Sequence, residues 1–99
     1  MNDLVQNRIQ VRGKDYLVRE LRGREMASVR KLLASDSEKF RAPAYVSSVA
    51  CVEPALGNEK ACEELPNVIL QAILAEAIRL TNNPNSDPNA PEDENAKKA

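Results

Sequence analysis

The chain has 99 residues, enough for one domain, and at 42% apolar and 29% charged its composition is that of a globular protein. A formal net charge of −1 gives no global pull toward nucleic acid, and the longest apolar stretch is broken by Gln71, Glu76 and Arg79, so no segment is suited to span a membrane. Histidine is absent and there are only two cysteines, which excludes a disulfide framework, a Cys-His dyad and an ordinary zinc site.

The N-terminal segment predicts a β-hairpin. Val5, Ile9 and Val11 share one parity, interrupted by Asn7, while Gln6, Arg8, Gln10 and Arg12 take the other. That period of two belongs to a half-buried strand. Gly13-Lys14-Asp15 supplies turn residues, and Tyr16 to Leu21 is a β-prone return strand whose pattern does not choose a buried face. Met1-Asn2-Asp3 is neither basic nor followed by a long apolar run, so no secretory leader is expected.

A helix is expected over 24–34, with Met26, Val29, Leu32 and Leu33 on one stripe. Ser35-Asp36-Ser37 then breaks it, and the pattern of Glu38 to Arg41 fits either a helical turn or a loop. Pro43 suits the first turn of a second helix. Tyr45, Val46, Val49, Ala50 and Val52 form its apolar face, with Ser47 and Ser48 opposite. It should stop at Glu53-Pro54, because proline disfavours helical geometry in the residue before it. Leu56-Gly57-Asn58 reads as a turn and 59–64 as a short helical piece.

Pro66 opens the most apolar helix, running to Leu80. Only Gln71, Glu76 and Arg79 mark a polar strip on it. A helix apolar almost all round is normally buried on most sides, and a domain this small has little chain to cover every flank. Either the helix sits centrally under the other elements, or one flank is a protein-binding surface. Candidate binding residues are therefore Val46, Val49, Ile69, Ile73 and Ile78.

From Thr81 the composition changes. Residues 82–91 hold three prolines and four asparagines, and no large apolar residue follows. Such a segment buries too little surface to offset its ordering entropy, so the expected organisation is a folded domain over 1–81 and a disordered, acidic tail or linker over 82–99. The fold class expected is α+β: an N-terminal hairpin packed with three to four helices.

No catalytic constellation emerges. The commonest general base is missing, Glu63-Glu64 reads as a solvated turn, and the glycines are scattered rather than clustered as a phosphate loop. Neither enzymatic activity, a cofactor nor a metal is expected. Arg19, Arg22, Arg24, Arg30, Lys31, Lys39 and Arg41 form a basic set with one aromatic, Phe40, placed to stack on a base; acidic residues are interleaved with them.

The order of the pieces carries a resemblance. A hairpin ending Val18-Arg19-Glu20-Leu21 precedes a charged amphipathic helix. An apolar helix then ends in Val52-Glu53-Pro54-Ala55-Leu56. Leu65-Pro66 leads into Val68-Ile69-Leu70, and Ala77-Ile78-Arg79-Leu80 closes the run with Asn82 soon after. Over roughly residues 5–82 this resembles the tail assembly chaperones of long-tailed bacteriophages and prophages. The resemblance implies a protein of the bacterial host cytoplasm that binds the tape-measure protein and keeps its apolar helices soluble. It also implies recruitment of tail-tube subunits. A small domain with an under-covered helix is expected to self-associate as well, while the hydropathy and the charge balance favour neither a membrane nor a nucleic-acid partner. Many such chaperones are also made in a longer, frameshifted form. Ala96-Lys97-Lys98 is compatible with the codons GCA-AAA-AAG, which contain a slippery heptamer. The alternatives are a generic protein-interaction adaptor and a small DNA-binding regulator.

Overall fold

The computed structural model describes residues 4–82, and most of the expected tail lies outside them. Strands β1 (Gln6–Val11) and β2 (Lys14–Arg19) form the hairpin, joined by Arg12-Gly13 rather than by Gly13-Lys14-Asp15. Both turn residues have positive φ, 53° and 80°, as a two-residue hairpin turn that matches strand twist requires. Lys14 and Asp15 therefore belong to β2, and the register pairs Val11 with Lys14 and Ile9 with Tyr16.

The inner face of this hairpin carries Ile9, Val11, Tyr16 and Val18. Asn7 shares that face, and its Nδ2 donates to the Glu76 carboxylate at 2.9 Å. The polar residue that interrupts the apolar parity is thus a partner for the one acidic group on the helix beneath.

Helix α1 spans Gly23–Ala34. Val29 is fully buried and Met26 packs on the core, but Leu33 points outward. Helix α2 spans Ala42–Ala50, with Pro43 in its first turn. It ends earlier than expected, because Cys51–Glu53 leaves the helix to form a third strand, β3, antiparallel to β2. Cys51 is buried against the sheet, whereas Val52, assigned by periodicity to the apolar face of α2, is exposed. The sheet order is β1-β2-β3.

Helix α3 (Glu59–Cys62) is capped by Asn58, whose Oδ1 accepts from the Ala61 amide at 2.9 Å. Helix α4 spans Asn67–Asn82, so Asn82 closes a helix instead of opening a tail. Its buried positions are Ile69, Leu70, Ile73, Ala77 and Leu80, a stripe at helical spacing. This stripe packs on α2 and on the inner face of β1 and β2. Thr81 ties the far end down: its hydroxyl donates to the Ala77 carbonyl at 2.7 Å and accepts from the Leu21 amide at 2.8 Å. A smaller core of Ala44, Cys62 and Leu70, backed by Leu56 and Leu65, fills the corner between α2, α3 and the start of α4.

Ser47, expected on the polar side of α2, is fully buried, and its hydroxyl has no hydrogen-bond partner among the described residues. An unsatisfied buried hydroxyl costs about 1–3 kcal/mol. Ser47→Ala is therefore expected to raise the urea midpoint, with a gain of about 1 kcal/mol. A fall in the midpoint would show that the hydroxyl is satisfied in solution.

Candidate functional site

Phe40 is the most exposed large apolar side chain among the described residues, at 72% of its full surface. It sits on a single 3-10 turn, Lys39–Arg41, between α1 and α2. A phenylalanine held in water forgoes roughly 2 kcal/mol of burial, so its outward position is a cost the local structure enforces.

Arg41 enforces it. Its Nε donates to Glu59 at 2.9 Å and its Nη2 to the other carboxylate oxygen at 3.2 Å, while Nη1 bonds Glu38. These two carboxylates raise the pKa of Arg41 further above its already high ordinary value, and the guanidinium stays charged. The fork joins the 3-10 turn to α3, and fixes the chain on both sides of Phe40.

Beside Phe40 lies an open groove of about 340 Å³ lined by Phe40, Pro43, Ala44, Glu63, Asn67 and Leu70. Part of its lining is apolar and comes from Pro43 and Ala44 of α2 and Leu70 of α4. The polar part is Glu63 and Asn67, whose side chains make no hydrogen bond with any described residue. The groove lacks the enclosure and the convergent polar groups of a small-molecule site. Its shape suits an apolar side chain, or the edge of a helix, presented by another protein.

Known protein families, curated proteins and solved structures contain no match to this chain.

The five residues expected to bind a partner lie elsewhere. Val46, Ile69 and Ile73 are buried in the main core, and Val49 and Ile78 pack against it half-buried. The central position of α4, one of the two placements open from sequence, is the one adopted. The strip of α4 that faces outward is Val68, Gln71 and Ala75. It is too narrow and too mixed to form an apolar patch.

Much of the basic set is spent inside the domain. Arg19 forms a buried two-point pair with Glu25, Arg41 is held by Glu38 and Glu59, and Lys39 lies 3.7 Å from Asp36. Arg22 is 4.0 Å from Glu25. Arg24, Arg30 and Lys31 remain as exposed charges on α1.

The two cysteines are buried free thiols. Burial pushes Cys51 up to about 11 and also raises Cys62, so neither is a thiolate at neutral pH. Among the described residues no cluster of acidic or cysteine side chains is arranged to hold a metal, and no helix is long and apolar enough to cross a membrane.

Proposed function

We propose that this protein is a tail assembly chaperone of a long-tailed phage or prophage, which holds an apolar stretch of the tape-measure protein at the Phe40 groove. The exposed Phe40 beside that groove is the observation that carries the reading. An aromatic anchor next to an apolar wall is the usual centre of a protein–protein hot spot. The groove is open, which suits a client that must be released before the tail is finished. The motif order over residues 5–82 supplies the identity of the client; the groove supplies the means of holding it.

The same reading includes recruitment of tail-tube subunits and action in the host cytoplasm, both of which rest on the motif order over residues 5–82. A generic adaptor would use the same groove for a different client, and binding by unrelated apolar helices would favour it.

The test is isothermal titration of the chain with segments of the tape-measure protein encoded in the same genome. Phe40→Ala should weaken binding by about 2 kcal/mol, roughly 30-fold, while the circular dichroism stays that of the parent. The affinity should barely change with salt, in contrast to the steep loss that phosphate contacts give. An unchanged affinity in Phe40→Ala would remove the groove from the account, and tight DNA binding with a steep salt slope would favour a regulator.

A further inference from the structure

We propose that β1 is a dimerisation strand, with two copies of the chain joined antiparallel along its open edge and Ile9 of each copy on the two-fold axis. Among the described residues the sheet order leaves β1 paired on one side only. The Glu20 amide donates to the Val5 carbonyl at 2.8 Å, and this pair continues the register in which Asn7 faces Val18 and Ile9 faces Tyr16. Hydrogen-bonded pairs alternate along an antiparallel ladder. Val5, Asn7, Ile9 and Val11 therefore aim their backbone groups at β2. Gln6, Arg8 and Gln10 aim theirs outward, three donors and three acceptors along one edge.

The two edges of the sheet differ in how they are guarded. Proteins blunt exposed edges with short strands, proline, bulges and charge. β3 is three residues long and runs into Pro54, the register irregularity lies between β2 and β3, and the uncovered part of β2 carries Lys14 and Asp15. β1 has six residues with neither proline nor a bulge against β2. Its one charge, Arg8, reaches back across the outer face to Glu53 at 3.4 Å, away from the open edge.

The edge fits a second copy of itself in one register. With Ile9 on the axis, Arg8 of each copy lies opposite Gln10 of the other. The two Ile9 side chains then meet at a non-hydrogen-bonded pair, where cross-strand side chains are closest, on the face that already packs against the core. An axis at Arg8 sets two guanidiniums opposite each other. An axis at Gln10 sets Arg8 against Arg12. An axis at Asn7 brings together two amides already engaged with Glu76. The pairing shares no residue with the Phe40 groove, so client binding and dimerisation are separable.

Sedimentation equilibrium of the whole chain tests the proposal, with Gln10→Pro as the decisive variant. The Gln10 amide faces outward, so proline there removes an edge donor and leaves the β1–β2 ladder intact. The parent should sediment as a dimer, and Gln10→Pro, altered at both symmetric positions, should dimerise about 100-fold more weakly. In parallel, Ile9→Cys should form a disulfide-linked dimer under mild oxidation and Asn7→Cys should not. A parent that stays monomeric, including one that pairs β1 only with a strand of another protein, overturns the proposal. So does a folded Gln10→Pro that dimerises like the parent, or cross-linking at Asn7→Cys in preference to Ile9→Cys. If Gln10→Pro fails to fold, the cysteine pair decides.

Discussion

Arg19→Ala is expected to destabilise the domain by about 3 kcal/mol, because it strands a buried carboxylate. Nη1 and Nη2 of Arg19 donate to the two oxygens of Glu25, each at 2.9 Å, and both side chains are only 11% exposed. Arg19 also donates to the Glu20 carbonyl at 2.8 Å, and Glu25 accepts from the Arg22 amide at the start of α1. One pair thus fixes the end of β2 to the first turn of α1. In a domain of this size the loss should lower Tm by roughly 15 °C. The double variant Arg19→Met/Glu25→Leu removes both charges together and should recover most of the loss, since a buried ion pair replaced by packed apolar groups is often nearly neutral.

The pair also sets an acid limit. Burial pushes the Glu25 carboxyl up, but the hydrogen bonds from Arg19 and the Arg22 amide, with both arginine charges, bring it below its ordinary value of 4.5. A depressed carboxylate contributes stability that is complete above its unfolded pKa and is lost as pH falls through the folded one. Glu76 acts in the same direction: the hydrogen bond from Arg79 lowers it against the cost of burial, with help from Asn7. Denaturation of the parent should therefore become easier below about pH 4.5. The gap between the parent and Arg19→Ala should narrow as pH falls through the depressed Glu25 value, below which that carboxyl is neutral in both. A gap that does not change between neutral and acid solution would show that the pair is not the source of the effect.

Ile73→Asp is expected to abolish folding. Ile73 is fully buried on α4, at the centre of the contact with α2 and the inner sheet face. A carboxylate there has no partner, and burying it costs more than about 4 kcal/mol. A domain with about 80 ordered residues holds about 4–12 kcal/mol in total. Client binding would vanish with the fold, which separates this position from Phe40, whose removal should leave the fold intact. The check is circular dichroism and urea titration. A folded, soluble Ile73→Asp protein that no longer bound client would return α4 to the binding surface.

The hairpin was legible because alternation is local: Val5, Ile9 and Val11 fix one face without reference to the rest of the chain. The α+β class and the starts and types of α1 to α4 followed from proline, glycine and helical periodicity in the same way. The turn sits one residue earlier than the pattern suggests, because arginine in a left-handed conformation is uncommon and only the following Gly13 signals it. β3 has no signal of its own in the sequence, since three residues carry no period and Val49, Ala50 and Val52 continue the apolar run of α2.

The candidate site was less legible for a tertiary reason. The apolar residues of α2 and α4 do not reveal which flank their own chain will cover, and Ser47 shows that even a polar position can be covered completely. Phe40 had a signal of the opposite kind. It is a lone aromatic between Lys39 and Arg41, on no apolar stripe, so nothing in its neighbourhood was available to bury it. The buried pairing of Arg19 with Glu25 had no sequence signal beyond charges six positions apart.

The most direct test of the Phe40 groove as a client site is a chemical-shift map of the isotopically labelled chain titrated with tape-measure segments from the same genome. The account predicts that the largest changes fall on Phe40, Ala44, Glu63, Asn67 and Leu70, with little change along β1. Changes centred elsewhere, or none with any segment, would contradict it.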